Sequence, residues 1–187
     1  MMRRDACFEA LKRHVTDEIV VATYTSAADW IVIAPRVLNY FSTGAMGLAS
    51  SHALGFALGR PDKRVIVLDG DGSLLMNLGT LVTIAGAGPR NLTHFVCQNG
   101  TYEANGGPPI PNRGVDLAGL ARSAGYAHSC AISDLADFEA RVASLLTMDG
   151  PVFAALQVVP GAVNPPNYPE MYRADRRAAL KEALQAQ

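Results

Sequence analysis

Short stretches that are apolar on both faces alternate with segments of helical length along this chain, and this alternation is the strongest limit on its fold. We interpret residues 18–23, 64–69, 92–97 and 151–159 as strands. A strand that is apolar on both faces is typical of the interior of a parallel sheet, where helices cover each side. The alternation therefore predicts a three-layer α/β/α domain with a mainly parallel sheet.

Between the predicted strands, apolar residues recur at the spacing of a helix. This spacing predicts helices over residues 46–58, 74–85, 116–124 and 135–146, with Ser133 as the cap of the last one. Residues 29–34 fit either the start of a helix or a second strand. Residues 98–113 are rich in Gly, Pro and Asn and predict a long loop, a kind of segment that is commonly functional or mobile. We place the domain in residues 1–160, followed by a linker and helical tail over 161–187.

The composition excludes several classes of protein. Of 187 residues, 49% are hydrophobic and 18% charged, which is enough core for one domain and rules out intrinsic disorder. The net charge of -1 argues against electrostatic binding of nucleic acid. Cysteines 7, 97 and 130 are too scattered for a disulfide framework or a Cys-x-x-Cys metal site. We find no signal-peptide pattern and no apolar run long enough to span a bilayer, so we expect a soluble protein of the reducing cytoplasm.

Polar residues follow two neighbouring predicted strands, at the edge where parallel sheets bind ligands. Residues 69–73 are Asp-Gly-Asp-Gly-Ser, and residues 98–101 are Gln-Asn-Gly-Thr. Asp71 and Asn99 are 28 residues apart with one helix between them, and a right-handed crossover brings both strand ends to the same edge. Carboxylate, carboxamide and backbone carbonyl oxygens suit Mg²⁺ or Ca²⁺ and not zinc. Ser73 and the amides that open the next helix are candidates for holding phosphate oxygens.

Three segments carry a resemblance to a known family. They are FSTGAMGLASSHALGFAL (41–58), VIVLDGDGSLLMNLGTL (65–81) and CQNGTYEANGG (97–107). From residue 15 to about 160, the chain resembles the diphosphate-binding (PP) domain of thiamine-diphosphate (ThDP)-dependent 2-oxo acid decarboxylases. It resembles most the sulfopyruvate decarboxylase β subunits and the C-terminal half of phosphonopyruvate decarboxylases.

The resemblance implies a set of ligands for Mg²⁺ and ThDP. It places Asp71, Asn99 and the Thr101 carbonyl on Mg²⁺. The residues implied to contact the cofactor are Gly70, Gly72 and Ser73 at the diphosphate, Gly44 and Met46 at the aminopyrimidine, and Thr25 and Ser26 as further phosphate contacts. Met46 is expected to be the apolar support under the bent cofactor. Gln98 differs from the Asn or Asp that the family often has, but the implied metal ligand is the next residue.

The resemblance also implies a partner. In the family, a Glu that activates the cofactor belongs to a separate pyrimidine-binding (PYR) domain, and only about 40 residues precede the segment at 43–47, too few for a domain. We therefore expect a subunit of a heteromeric decarboxylase, α2β2 or larger, that converts sulfopyruvate or phosphonopyruvate to the aldehyde and CO2. Tyr168, Met171 and Tyr172 of the tail are candidates to contact the partner, and packing of the tail on its own domain is an equal alternative.

The sequence gives weaker evidence for the residues that bind the anionic substrate and for the roles of the remaining polar residues. Arg113, Tyr102 and Asn105 of the long loop are candidates for substrate binding, although a loop arginine is more often simply solvated. We interpret His52, His94 and Cys97 as structural.

Two alternative functions remain open. One is the β subunit of a 2-oxo acid:ferredoxin oxidoreductase, which usually carries cysteines for an iron–sulfur cluster that the three scattered cysteines do not match. The other is a non-catalytic flavodoxin-like binding module. The GxGxxG pattern is broken at residues 70–75 and no GxxxxGK[ST] loop occurs, so neither common nucleotide-binding motif supports it.

Overall fold

A computed structural model of the protein describes residues 1–161 and 164–186, and within them six strands form one parallel sheet. The strands are β1 (Ile19–Thr23), β2 (Asn39–Ser42), β3 (Val65–Gly70), β4 (Leu92–Gln98), β5 (His128–Ile132) and β6 (Val152–Gln157). Their order is β2-β1-β3-β4-β6-β5, and every neighbouring pair is parallel. The predicted parallel sheet is therefore confirmed.

Helices cover both faces of this sheet. They are α1 (Arg4–Lys12), α2 (Tyr24–Ile33), α3 (Ala49–Gly59), α4 (Asp71–Met76), α5 (Thr80–Ala87), α6 (Leu117–Ala124), α7 (Leu135–Thr147), α8 (Tyr168–Met171) and α9 (Ala174–Gln185). Helices α1, α2 and α7 pack on one face, and α3, α5 and α6 pack on the other. The three-layer α/β/α architecture is confirmed.

Strand β3 shows why the apolar pattern predicts this architecture. Its side chains alternate between the faces, so that Ile66 and Leu68 enter the core beneath α1, α2 and α7, while Val65 and Val67 enter the opposite core. All four are fully buried. A central strand must therefore be apolar on both sides.

Two local predictions need correction, and one open alternative is resolved. Residues 29–33 form the second half of α2, which ends with Ala34 as its C-cap, so this segment is neither a strand nor the start of a helix. The single helix predicted over residues 74–85 is two helices, because Asn77 leaves the helical conformation with φ of -144° and donates from Nδ2 to the Gly47 carbonyl at 3.0 Å. Ser133 does not cap α7; Asp134 does, accepting from the Asp137 amide at 3.0 Å.

Helix α1 and strands β2 and β5 were not predicted from the sequence. Both strands lie at the edges of the sheet. β2 has only four residues, and four of the five residues in β5 are partly or fully exposed. An edge strand has fewer covered neighbours, so it does not need the apolar pattern that marks a central strand.

The tail packs on its own domain. The predicted helix over 170–187 is two helices, and α8 begins at Tyr168, where Asn167 accepts from the Glu170 amide. Met171 is 2% exposed and packs in the same core as Phe41, so for this residue the alternative of packing on its own domain is the one that holds. Tyr168 and Tyr172 remain 37% and 47% exposed. Residues 162–163 of the predicted linker and residue 187 of the predicted tail lie outside the described residues.

Among residues 1–161 and 164–186, no helix combines the length and apolar character needed to cross a membrane.

Candidate functional site

A pocket lies at the carboxyl edge of the sheet, where β1, β3 and β4 end. Because the strands are parallel, the segments that follow them meet at the same edge. The chain passes from β1 to β2 on one side and continues to β3 on the other side of β1, which makes this edge a topological switch point. The pocket is lined by Arg4, Thr23, Tyr24, Thr25, Ser26, Met46, Gly70, Asp71, Gly72, Ser73, Cys97, Asn99, Thr101, Tyr102, Glu103 and Ala104.

Asp71 joins the segments that follow β3 and β4. Its Oδ1 accepts a hydrogen bond from the Gly72 amide at 2.8 Å, and its Oδ2 accepts one from the Gly100 amide at 2.6 Å. Asn99 directly precedes Gly100 and lines the same pocket. Two residues that are 28 positions apart in the sequence therefore meet at one place.

Asp71 is buried in the wall of the pocket and is only 1% exposed. Burial raises its pKa above the ordinary value, while the amides of Gly100 and Gly72 act in the opposite direction. The nearby Glu103 raises the pKa further. The ionised form is thus poorly solvated, and a bound cation would stabilise it.

The loop after β4 is folded back on itself. Asn99 Oδ1 accepts from the Thr101 amide at 2.8 Å and from Thr101 Oγ1 at 3.1 Å. Further on, the Ile110 amide donates to the Gly100 carbonyl at 3.1 Å, and a β-bridge joins Thr101 to Pro109. The loop predicted over 98–113 therefore has a fixed conformation around Asn99, with one 3-10 turn at Glu103–Asn105.

Gly72 allows the closest approach between the two segments. A Cβ at this position would lie 2.5 Å from Cδ1 of the Tyr102 ring, which no real side chain could occupy without displacing the ring. The neighbouring Ser73 accepts through Oγ from the Gly47 amide at 3.2 Å. This bond brings the segment that contains Met46 to the pocket.

Ten of the thirteen residues that we predicted from the sequence as site residues line the pocket. They are Thr25, Ser26, Met46, Gly70, Asp71, Gly72, Ser73, Asn99, Thr101 and Tyr102. Gly44, Arg113 and Asn105 are not among the lining residues. Gly44 has φ of +97° and lies beside the Tyr172 hydroxyl, whereas Arg113 is exposed against Gly100 and Asn105 is exposed on the 3-10 turn.

Sequence reasoning missed a buried ionic cluster in the wall of the pocket. Arg4 donates from Nε to Asp29 Oδ2 at 2.7 Å and from Nη1 to Glu103 Oε2 at 2.6 Å. The one local signal was Asp29, the single charged residue inside an otherwise uncharged helix. Arg4 itself lies in a mixed, charged segment that offers no such contrast.

The residues interpreted as structural are held by neighbours inside the domain. His94 is fully buried, with Nε2 3.3 Å from Asp69 Oδ2 and Nδ1 3.4 Å from the Tyr126 hydroxyl. Cys97 is 1% exposed, and burial raises the pKa of its thiol to about 12. His52 lies 3.0 Å from Ser42 Oγ, and burial lowers its pKa.

The chain has clear relatives among known proteins. It is 36% identical over 167 residues to the sulfopyruvate decarboxylase β subunit of Methanothermobacter thermautotrophicus, covering 89% of this chain and 87% of that one. It is also 36% identical over 146 residues to the phosphonopyruvate decarboxylase of Streptomyces viridochromogenes, covering 78% of this chain. The chain spans only 36% of that second protein.

A solved structure shares the fold. An X-ray structure of a Mycobacterium smegmatis protein, assigned to the thiamin diphosphate-dependent enzymes, superposes with a TM-score of 0.75 at 25% identity. The superposition covers 86% of this chain and 32% of that protein.

The family described as the thiamine pyrophosphate enzyme, C-terminal TPP binding domain, matches residues 21–156. These residues contain all six strands except for the first two residues of β1 and the last residue of β6, together with every pocket residue apart from Arg4. The chain belongs to this family of thiamine pyrophosphate enzymes.

Proposed function

We propose that this chain is the Mg²⁺- and ThDP-binding subunit of a heteromeric 2-oxo acid decarboxylase that acts on sulfopyruvate or phosphonopyruvate, releasing the aldehyde and CO2. The observation that carries the proposal is the bond from the Gly100 amide to Asp71 Oδ2, because it joins the two loops of the predicted metal site. The substrate class rests on the names of the two relatives.

The donor set fits a small hard cation. Asp71 supplies a buried carboxylate, Asn99 a carboxamide oxygen and Thr101 a backbone carbonyl, and all three residues line the pocket. Oxygen donors of this kind are the ones Mg²⁺ prefers. The raised pKa of Asp71 adds a reason, since a buried carboxylate gains from a cation beside it.

The remaining lining residues fit a diphosphate. Ser73, Thr25 and Ser26 offer hydroxyls, and Gly70 and Gly72 expose backbone without a side chain. We assign Met46 and Gly44 to the aminopyrimidine end, as the resemblance implies. When bound, thiamine diphosphate supplies the electron sink for breaking the bond to the carboxylate. The residues of this chain hold the cofactor, orient it and exclude water from it.

We propose that the required Glu comes from a PYR-type α subunit in a cytoplasmic α2β2 or larger complex. Leu48 and Met76 are 36% and 59% exposed, and the bond from Asn77 to the Gly47 carbonyl places their segments side by side. Exposed apolar side chains next to a site are typical of a surface that another chain covers. Residues 1–160 would form the cofactor-binding domain, with 161–187 as its linker and tail.

For the anionic end of the substrate we propose Tyr102, Arg113 and Asn105. Tyr102 lines the pocket. Arg113 lies against Gly100, beside the proposed metal ligands, and presents a cation on the same loop that also carries Asn105.

Reconstitution tests the proposal. The chain is purified alone and together with a PYR-type chain of about 170 residues, the size expected of one domain. We expect the complex to retain ThDP in a Mg²⁺-dependent way and to release CO2 from one of the two substrates. The chain alone should show no steady turnover.

Each part of the proposal has its own contrary result. Steady turnover by the chain alone would exclude the heteromer. Absence of Mg²⁺-dependent ThDP retention by the complex would exclude the cofactor role. Turnover of other 2-oxo acids, with neither sulfopyruvate nor phosphonopyruvate accepted, would exclude the substrate assignment.

A further inference from the structure

Arg4 is a buried cation in the wall of the pocket. Its side chain is 2% exposed although it comes from the first turn of α1, well away in the sequence from the other lining residues. Among the described residues that line the pocket, it is the only one with a positive charge. The lining also contains two carboxylates, Asp71 and Glu103.

Two of the three guanidinium nitrogens of Arg4 are fixed by carboxylates. Nε donates to Asp29 at 2.7 Å, and Nη1 donates to Glu103 at 2.6 Å and lies 3.4 Å from Thr25 Oγ1. Because the guanidinium is planar, these contacts also fix the direction of the third nitrogen, Nη2. Burial on its own lowers the pKa of Arg4, but Cys97, Glu103 and Asp29 raise it above the ordinary value, so the group stays charged.

Asp29 and Glu103, the two carboxylates that hold Arg4, also accept hydrogen bonds from other parts of the chain. Asp29 Oδ1 accepts from the amide and from Nδ2 of Asn164 at 3.0 and 3.1 Å. Glu103 Oε1 accepts from the Gly161 amide. The orientation of Arg4 is therefore set by a frame that joins α2, the loop after β4 and the segment after β6.

Nη2 of Arg4 is buried and has no hydrogen-bond partner within residues 1–161 and 164–186. A buried charged donor that is left without an acceptor is costly, and such a group is a rare feature that calls for an acceptor from elsewhere. Guanidinium groups are well suited to phosphate oxygens, which they bind through charge-assisted hydrogen bonds.

We propose that Arg4 is a diphosphate-binding residue, whose Nη2 donates to a phosphate oxygen held in the pocket. This inference rests on the proposed function for the identity of the cofactor, but it concerns the diphosphate group itself. Inorganic pyrophosphate with Mg²⁺ is therefore a sufficient probe. Arg4 also balances part of the negative charge that a diphosphate would bring next to Glu103.

The test measures Mg²⁺-pyrophosphate binding to the full chain by calorimetry. We expect Arg4→Gln to weaken binding at least tenfold. Arg3→Gln is the matched control, because Arg3 is the adjacent residue, is 64% exposed and carries the same charge. It should leave the affinity within about twofold of the wild type, since its ion pair with Asp5 is at the surface.

A second pair of variants separates binding from a merely structural role. Glu103→Gln keeps one oxygen that accepts from Nη1, gives up the bond from the Gly161 amide and removes a negative charge. With Arg4 still held by Asp29, direct binding predicts unchanged or tighter pyrophosphate binding. A role only in holding the loop predicts weaker binding for both Glu103→Gln and Arg4→Gln. Arg4→Lys keeps the charge but has no nitrogen equivalent to Nη2. Its affinity for pyrophosphate should therefore stay well below that of the wild type.

Several outcomes would overturn the proposal. They are wild-type affinity in Arg4→Gln or Arg4→Lys, equal losses in Arg4→Gln and Glu103→Gln, or no binding of pyrophosphate by the wild type. If Arg4→Gln does not fold, the double variant R4Q/E103Q removes one of the two carboxylates left without Arg4, while Asp29 keeps its bonds from Asn164. The double variant should still bind pyrophosphate at least tenfold more weakly than Glu103→Gln. A wild type that binds pyrophosphate, but retains no ThDP even in complex with the PYR-type chain, would overturn the proposed function and leave the role of Arg4 standing.

Discussion

Asp69 and Asp71 are two residues apart and each is 1% exposed, but they belong to different regions of the molecule. Asp69 is part of β3 and faces inward, where its Oδ2 lies 3.3 Å from His94 and its Oδ1 accepts from the Gly70 amide. Asp71 begins α4 and faces the pocket, where it accepts from the amides of Gly72 and Gly100.

The two aspartates belong to two polar clusters: the inner cluster, around Asp69, lies in the core of the fold, and the outer cluster, around Asp71, lies in the pocket proposed to bind a ligand. Asp69, His94 and Tyr126 form a chain of partners inside the sheet, with His94 fully buried between the other two. Asp71 has uncharged amide donors and a carboxylate neighbour, and burial raises its pKa. Within the described residues, the groups of the inner cluster are partners of one another, whereas a bound cation would stabilise the outer cluster further.

The largest effect is expected at Asp71. Asp71→Asn removes the carboxylate proposed for Mg²⁺, so ThDP and pyrophosphate should bind at least about 100-fold more weakly, which corresponds to about 2.7 kcal/mol. Calorimetry in the presence of Mg²⁺ measures this loss. Asp62→Asn, at an exposed turn, is the control and should bind normally. Normal binding by Asp71→Asn would remove the distinction between the two aspartates.

The same variant has a testable pH dependence without metal. Because the pKa of Asp71 is raised in the folded state, its contribution to stability is fully present below the unfolded pKa of about 4 and is lost as the pH rises through the folded pKa. Urea unfolding without metal between about pH 4 and about pH 8 should show this loss in the wild type and a smaller one in Asp71→Asn. If the stability of the wild type and of Asp71→Asn changed equally with pH, Asp71 would not be the carboxyl group with the raised pKa.

A substitution in the inner cluster should lower the stability of the protein and leave its affinity for ThDP unchanged. His94→Leu leaves Asp69 buried without its side-chain partner, and we expect a loss of about 2–3 kcal/mol in the free energy of unfolding. Affinity for ThDP in the folded protein should stay within about twofold. Urea unfolding and calorimetry measure the two quantities. His14→Leu, at an exposed position, should change stability by less than about 0.5 kcal/mol.

A loss of ThDP affinity in His94→Leu without a loss of stability would place the inner cluster inside the functional site. Asp69 would then have a role in ligand binding, and the proposed difference between Asp69 and Asp71 would be wrong.

A smaller effect is expected where the two loops touch. Gly72→Ala places a Cβ 2.5 Å from the Tyr102 ring and must displace it, so we expect ThDP binding to weaken about tenfold, or about 1.4 kcal/mol. Gly79→Ala, where a Cβ meets no atom within 4 Å among the described residues, is the matched control. Equal affinities for the two variants would show that the contact between Gly72 and Tyr102 does not shape the pocket.

The smallest effect concerns a helix cap far from either aspartate. Asp134→Ala removes the bond to the Asp137 amide and should cost about 1 kcal/mol of stability without changing ThDP binding. Ser133→Ala should cost less, because Ser133 is not the cap. Thermal unfolding of both variants measures the difference. A larger loss of stability in Ser133→Ala than in Asp134→Ala would show that Ser133 caps α7, as the sequence predicted.

The central part of the fold and most of the pocket were predictable from local sequence. Strands β3 and β4 are apolar on both faces, and the polar residues after them fall at a shared edge for any parallel sheet with a right-handed crossover. The edge strands β2 and β5 were not predictable in this way. The break between α4 and α5 depends on a bond from Asn77 to the distant Gly47 carbonyl, which no helical periodicity reveals.

The sequence by itself determined the layer architecture and the meeting of Asp71 with the Asn99 loop, because apolar periodicity and strand-to-strand spacing act over short stretches of chain. Only the tertiary structure decided that Arg4 lies in the wall of the pocket, paired with Glu103 across 99 positions of sequence. It also decided that α9 packs along β2, with Arg176 over the ring of Phe41 at 5.7 Å. Contacts of this kind follow from how whole helices pack on the sheet, and a single side chain in a local pattern carries no signal of them.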